Sequence, residues 1–313
     1  MSRRHAFRRA LLALLAAIAL AGLAAAALWR ALPDPRPLAR ANPATTALIE
    51  QRRAEAAAKR RPFRTHLVWI PLERVPAHAV AALILSEDAG FYGHEGVDWA
   101  AVRDAAEHDL RVGRFARGAS TLTQQLAKNL WLGTRKSLLR KAEEAVLAMK
   151  LERSLSKRRI LALYLNVVEF GDGVFGIEAG ARARFGVGAS DLSPAQSAVL
   201  VSLLPAPLRV DLDRPSTWLR KRSRRLLDRM HATGRLDDDA HRRAAAELER
   251  ILAGPRPQDD REEPPEEAPP DEALPQADSP SEAQGRPSDQ NGGEGTAGQD
   301  ATSPREQGGV EHE

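Results

Sequence analysis

Two glutamates stand beside clustered basic side chains, a combination that predicts acid–base chemistry on an anionic substrate. Glu87 ends an apolar helical pattern next to Asp88, and burial there would make its carboxylate a better general base. Glu144 follows Arg140 by four residues and Lys141 by three, so a helix would place it beside both cations. Both patterns also occur without any function, as a solvated acid at a helix end and as a surface ion-pair helix.

A dense polar segment between these glutamates opens another predicted helix. Thr121 and Gln124 form a capping-box pair, and the free N–H groups and hydroxyls of such a helix start suit a phosphate. Gln124 and Lys128 are four residues apart and therefore share a helix face. The alternative interpretation is plain capping with a solvated face. The candidate binding residues of this segment are Ser120, Thr121, Gln124, Gln125 and Lys128.

Five sequence blocks contain or follow these residues in a fixed order. They are SEDAGFYGHEGVD from Ser86, RGASTLTQQLAKN from Arg117, RKAEEA from Arg140, SKRRILALYLN from Ser156 and EFGDGVFGIEAGARARFG from Glu169. In this order the blocks resemble the five motifs of the family 51 glycosyltransferases, the peptidoglycan polymerases, and above all its monofunctional biosynthetic transglycosylases. The resemblance covers about residues 68–209.

The resemblance implies roles for individual residues. Glu87 would be the general base, with Asp88 an orienting or structural acid. Glu144, rather than Glu143, would be the second essential carboxylate. The substrate-binding residues that it implies are Ser120, Thr121, Gln124, Gln125, Lys128, Lys136, Arg140, Lys141, Lys157 and Asn166.

The resemblance also implies a reaction, the polymerisation of lipid II into β-1,4-linked glycan strands with release of undecaprenyl diphosphate. Glu87 would take the proton of the acceptor 4-hydroxyl, whose oxygen would attack the donor anomeric carbon with inversion. Basic side chains would stabilise the leaving diphosphate. The sequence requires no cofactor and identifies no metal ligands, and a divalent cation, Mg²⁺ or Mn²⁺, at the diphosphate stays open.

An apolar run near the N-terminus predicts a membrane anchor. Residues 10–29 carry no charge, and 20 residues of helix span about 30 Å, the thickness of the hydrocarbon core. Arginines within residues 1–9 favour a cytoplasmic N-terminus, which predicts a single-pass protein of the bacterial cytoplasmic (inner) membrane with its catalytic domain on the periplasmic face. A cleaved signal peptide is the alternative, although its apolar core is usually shorter.

Charge divides the chain into a basic body and an acidic tail. Residues 254–313 are rich in Pro, Glu, Asp and Gly and carry 16 acidic residues against four arginines, so they are predicted to be a disordered tail. Because the whole chain has a net charge of +4, residues 1–253 carry +16. Such a body suits an anionic partner. The predicted partners are lipid II, the growing glycan strand and membrane lipids, with no nucleic acid, while other cell-wall synthesis or division proteins stay open.

The pattern of apolar residues predicts a mainly α protein. Helical periodicity covers most of the chain from residue 76 to residue 252, with one short strand at Val68–Pro71. The resemblance implies a lysozyme-like glycosyltransferase domain at residues 62–253, joined to the anchor by a juxtamembrane linker and helix at residues 30–61. The chain has no cysteine, which excludes disulfides and thiolate metal sites.

Two other functions fit parts of the sequence. A lytic transglycosylase or muramidase would cut the same polymer, but it needs an acid carboxyl rather than a cluster of cations for a diphosphate. An inactive membrane-anchored scaffold of the wall machinery would explain the anchor and the tail, but not the presence of both Glu87 and Glu144.

Overall fold

The computed structural model describes residues 3–112, 119–134 and 137–253. Within these ranges the chain is mostly helical with one small sheet, which confirms the predicted mainly α fold class. The predicted tail, residues 254–313, lies outside the described residues.

Short strands interrupt a long series of helices. In chain order the elements are α1 (Arg3–Ala31), α2 (Ala47–Ala58), β1 (His66–Leu67), α3 (Ala77–Glu87), α4 (Trp99–Val112), α5 (Leu122–Ala127), α6 (Leu138–Ser154), α7 (Lys157–Val167), β2 (Glu169–Gly171), β3 (Val174–Phe175), α8 (Ile177–Phe185), α9 (Pro194–Ser202), α10 (Thr217–Ala232) and α11 (Asp238–Ile251).

Most helices begin at a side-chain cap. The predicted capping box of Thr121 and Gln124 is confirmed at the start of α5, and Ser193 and Gln196 form another capping box at the start of α9. Helix α5 ends at Ala127, and the chain continues as one π-helical turn over Lys128–Leu132. The rest of the predicted helices agree with the structure to within a few residues at each end.

The sheet has the strand order β1-β3-β2. β1 pairs with β3 in parallel, and β2 pairs with β3 in antiparallel fashion. The prediction of a strand at Val68–Pro71 is wrong, since the strand lies just before it at His66–Leu67. The physical reason is that the backbone N–H and C=O of Ile70 bond to the side chain of Asn166 and not to a neighbouring strand.

Helix α7 occupies the centre of the main core. Ile160, Leu161, Leu163, Tyr164 and Leu165 are all at most 1% exposed, so both faces of this helix are covered by protein. A helix that is apolar on all sides needs such a surrounding. Helices α3, α5, α6 and α9 contribute to the same core, which fixes the end of α3 and the start of α5 relative to each other.

The predicted anchor is an exposed apolar helix whose end is attached to α6. Leu11–Ala31 is long and apolar enough to cross a membrane, a property that a signal sequence shares. Lys150 on α6 donates hydrogen bonds to the carbonyls of Trp29 (3.0 Å) and Leu32 (2.7 Å). The indole of Trp29 also lies beneath two cations, with Lys150 5.6 Å and Arg153 5.0 Å from the ring centroid. The last turn of α1 is thus fixed to the helix that carries Glu144.

Candidate active site

Glu87 is the last residue of α3, and three elements hold its carboxylate. Its Oε1 accepts hydrogen bonds from the Oγ of Ser86 (3.0 Å) and from Nη2 of Arg222 on α10 (3.0 Å). Its Oε2 accepts a longer bond, of 3.3 Å, from Nε2 of Gln125 on α5. The side chain is 10% exposed. One oxygen is therefore fully engaged, and the other retains capacity to accept a proton.

Gln125 is itself oriented by Tyr164 on α7. The tyrosine hydroxyl donates to Oε1 of Gln125 at 2.8 Å, which leaves the amide NH₂ to face Glu87. Burial raises the pKa of Tyr164 well above its ordinary value, and the charges of Glu87 and Asp88 raise it further. Tyr164 therefore stays a neutral donor, and the orientation of the Gln125 amide is fixed.

Asp88 is buried and joins the end of α3 to the start of α5. Its Oδ2 accepts from the backbone N–H of Leu122 at 2.9 Å and lies 3.0 Å from Nε2 of His94. The backbone N–H of Gly96 donates to Nδ1 of His94, so Nε2 carries the proton and donates to Asp88. Asp88 is thereby an orienting acid for the loop after Glu87.

Glu144 lies in the middle of α6 and is 3% exposed. Nη1 of Arg140 donates to its Oε2 at 2.7 Å, and Nζ of Lys141 donates to its Oε1 at 2.6 Å. Lys141 also donates to Oγ of Ser120 at 2.7 Å. The Nε of Arg140 is buried and has no hydrogen-bond partner in the described part of the chain. Four of the predicted site residues thus form one cluster.

Helix α5 lies between the two glutamates. Its residue Gln125 contacts Glu87, and Ser120, just before its cap, contacts the partner of Glu144. Because α5 and α6 pack against each other, the two clusters belong to one region of the surface. Lys128 begins the π-helical turn after α5 and is partly buried. Lys136 lies outside the described residues.

Thr121 and Gln124 are buried, and their polar atoms serve the local structure. The hydroxyl of Thr121 accepts from the backbone N–H of Gln124 and donates to the carbonyl of Gly96 at 2.6 Å. Oε1 of Gln124 accepts from the backbone N–H of Thr121. Their assignment to substrate binding stays a prediction, and the capping that was its alternative is what the structure shows.

Lys157 and Asn166 likewise bond to other parts of the protein. Nζ of Lys157 donates to the carbonyl of His94 at 2.6 Å and to Glu152 at 2.8 Å. The amide of Asn166 accepts from the N–H of Ile70 and donates to the carbonyls of Ile70 and Ala162. The contacts of these two side chains support the frame of the site, and any direct contact with substrate stays a prediction.

Asn166→Ala should therefore reduce stability more than chemistry. The substitution leaves the backbone N–H and C=O of Ile70 without their partner, which we expect to cost about 2–4 kcal/mol of unfolding free energy. Chemical denaturation followed by circular dichroism measures the loss. A variant that unfolds like the parent but turns over poorly would instead place Asn166 on the substrate.

Arg222 is the residue of this site that the sequence did not single out. It is 5% exposed, contacts Glu87, and lies with its guanidinium 5.7 Å from the ring centroid of Trp218. No local spacing connects it to Glu87, because 135 residues separate the two. The sequence signal for its burial is its helical spacing. Leu219 lies three residues before Arg222 and Leu226 four residues after it, so Arg222 lies on the apolar face of α10.

The donor set does not fit a metal held by the protein alone. Among the described residues, no group of three His, Asp or Glu side chains could hold a metal ion. Both carboxylate oxygens of Glu144 are already bound by cationic donors. No step of the reaction is therefore assigned to a metal.

A carboxylate with one weakly engaged oxygen and a second carboxylate bound by two cations, joined through α5, suit acid–base chemistry on an anionic substrate. Residues 54–231 match the family model described as Transglycosylase. Since this is more than half of the chain, the chain belongs to the transglycosylase family.

Proteins of known name show the same relationship. The chain is 43% identical over 189 residues to the biosynthetic peptidoglycan transglycosylase of Nitrosospira multiformis, a match covering 60% of this chain and 82% of that protein. It is 46% identical over 170 residues to that of Aromatoleum aromaticum, covering 54% and 74%. It is 42% identical over 191 residues to that of Dechloromonas aromatica, covering 61% and 83%. These matches confirm the family resemblance that the sequence motifs predicted.

Proposed function

We propose that this enzyme is a peptidoglycan glycosyltransferase that polymerises lipid II and releases undecaprenyl diphosphate. The observation that carries the proposal is the carboxylate of Glu87, nearly buried, held by three elements and left with one weakly engaged oxygen. The names of the relatives support peptidoglycan as the polymer.

The proposed step is a direct displacement. Oε2 of Glu87 takes the proton of the acceptor 4-hydroxyl, and that oxygen forms a bond to the donor anomeric carbon. The bond from the same carbon to the diphosphate oxygen breaks, and its electron pair leaves with undecaprenyl diphosphate. General base catalysis of this kind contributes about 10²–10⁴-fold to the rate.

The leaving diphosphate needs positive charge in its vicinity. Arg140 and Lys141 are the cations whose position supports this role, because both point at the one buried carboxylate of Glu144. We propose that Glu144 orients these two cations and that Lys128 and Lys136 add to the same field. Lys141 donates hydrogen bonds to both Ser120 and Glu144, so Ser120 would lie near the same phosphates.

A glycan-cutting enzyme is the alternative that the geometry disfavours. Such an enzyme needs a protonated carboxyl that donates to the leaving oxygen. The site instead brings Arg140 and Lys141 together at Glu144, which supplies the positive charge that a leaving diphosphate needs. Incubation of the purified enzyme with labelled lipid II tests the proposal. We expect a gel to show long glycan chains, and we expect these chains to disappear after digestion with a muramidase. Shortening of preformed glycan, with no growth from lipid II, would favour the cutting enzyme.

We further propose that α1 anchors the enzyme in the cytoplasmic membrane, with the catalytic domain on its outer face. The substrate carries a lipid tail and stays in the plane of the membrane, so an anchored active site remains near it. The apolar span Leu11–Ala31 and the arginines before it support this location.

Removal of residues 1–27 should weaken membrane association and leave activity on detergent-solubilised lipid II close to that of the full chain. This truncation preserves Trp29 and Leu32, whose carbonyls bind Lys150. Removal of residues 1–32 takes both acceptors away from the buried ammonium, so this second variant should melt at a lower temperature. Flotation on vesicles, thermal melting and turnover in detergent measure the three effects. Equal melting temperatures would show that the contact with Lys150 contributes nothing to stability.

A further inference from the structure

We propose that Arg222 on α10 is a positioning residue for Glu87. It binds Oε1 of the carboxylate and so leaves Oε2 to face the acceptor sugar. The inference rests on the proposed function, in which Glu87 is the general base. It adds a residue from the last third of the chain to a site otherwise built from α3, α5, α6 and α7.

The contacts of Arg222 are directed at the end of α3. Its Nη2 donates to Oγ of Ser86 at 2.8 Å and to Oε1 of Glu87 at 3.0 Å. Ser86 in turn donates to the same oxygen of Glu87. The three groups form a closed arrangement in which both donors act on Oε1.

This arrangement distinguishes the two oxygens of the base. The terminal torsion of a glutamate side chain is broad, so a carboxylate without such contacts samples many orientations. With Oε1 held by two donors, Oε2 keeps a single longer contact with Gln125. Arg222 thereby determines which oxygen faces the acceptor, and it does so without reaching the substrate itself.

The burial of Arg222 gives a second reason to assign it a function. It is 5% exposed, and its Nε has no hydrogen-bond partner in the residues that the structure describes. Burying a cation with an unused donor is unfavourable, and an apolar residue beside Trp218 and Leu226 would pack without that cost. The contact with Glu87 is the feature that an apolar side chain could not provide.

The same helix offers a matched control. Arg229 follows Arg222 by two helical turns and donates to the carbonyl of Leu85 at 2.7 Å. It therefore fixes α10 to α3 as Arg222 does, but none of its described contacts reaches the carboxylate of Glu87. A purely structural effect of losing an arginine from this interface should appear equally in both variants.

The test compares Arg222→Ala with Arg229→Ala in the full chain, assayed on lipid II in detergent. We expect Arg222→Ala to lower kcat by about 100-fold through misplacement of the base, with an unchanged KM because no contact with substrate is lost. Arg229→Ala should lower the melting temperature with little effect on kcat. Guanidinium ions at a concentration below the unfolding range should restore part of kcat to Arg222→Ala alone, since they can occupy the vacated space.

Three results would overturn the assignment. They are equal losses of kcat in the two variants, a loss in Arg222→Ala carried by KM, or a folded Arg222→Ala that guanidinium does not rescue. If Arg222→Ala does not fold, Arg222→Lys decides, because lysine keeps the charge but loses the planar fork. A fall in its kcat of about tenfold at unchanged KM supports the assignment, and an unchanged kcat overturns it.

Failure of this inference is distinguishable from failure of the proposed function. A fully active Glu87→Gln would contradict the function of the base, whatever Arg222 does. An inactive Glu87→Gln together with a fully active Arg222→Ala would support Glu87 as the base and contradict only the positioning role of Arg222.

Discussion

Glu87→Gln should abolish glycan polymerisation, with kcat lowered by at least about 100-fold, because an amide keeps the shape of the side chain and cannot accept a proton. The amide oxygen can still accept from Ser86 and Arg222, so the fold and the binding of lipid II should change little. A gel assay with labelled lipid II measures polymerisation, and circular dichroism measures folding. Near-normal polymer from this variant would contradict the assignment of the base.

Glu95→Gln is the matched control for this substitution. Glu95 lies in the loop that follows α3, is exposed, and differs from Glu87 in having no described hydrogen bond to α5 or α10. We expect it to polymerise like the parent. Equal losses at Glu87 and Glu95 would point to a general sensitivity of the loop to charge rather than to a base.

Glu144→Gln should lose most of the activity, by about 100-fold, since it removes the charge that orients Arg140 and Lys141. Because the amide of Gln has one acceptor oxygen in place of two, one of the two hydrogen bonds from the cations is lost, and we also expect a loss of about 2 kcal/mol of unfolding free energy. Turnover of lipid II at saturating concentration and chemical denaturation measure the two effects separately.

Glu143→Gln is the control within the same helix. Glu143 precedes the buried Glu144 and is more exposed, so its substitution should change neither turnover nor stability appreciably. Equal effects at the two positions would show that the wrong face of α6 has been assigned to the site. Full activity of Glu144→Gln would contradict the proposal that Glu144 orients the cations for the reaction.

Local interactions made much of the fold predictable. The box of Thr121 and Gln124 and that of Ser193 and Gln196 each lie within four residues, so the sequence contains both partners side by side. The helical period of α6 likewise placed Glu144 beside Arg140 and Lys141, and the structure confirms this contact. Spacing alone was sufficient in these cases because a helix brings residues three and four apart together.

Long-range contacts account for what the sequence did not predict. Arg222 meets Glu87 from 135 residues away, and the Asn166 that displaces the expected strand at Ile70 is 96 residues from it. The strands β1 and β3 are two residues long, which is too short for an alternating pattern, and each pairs with residues far away in the sequence, His66 with Val174 and Leu67 with Phe175. The family motifs singled out Asn166 and Lys157 as site residues, but they did not predict which groups these side chains bind in the folded chain.

The pairing of Glu144 with Arg140 and Lys141 has a consequence for how the site fills and empties. In the proposed reaction an arriving diphosphate meets two cations that share the one carboxylate of Glu144, so it adds to a cluster whose positive charge is already partly offset. The gain in affinity is correspondingly smaller than bare cations would give. When undecaprenyl diphosphate departs, Glu144 still offsets one of the two positive charges of Arg140 and Lys141, so both cations keep a partner in the empty site. We therefore expect product inhibition to be weak, a property suited to an enzyme that must release the same group after every sugar addition.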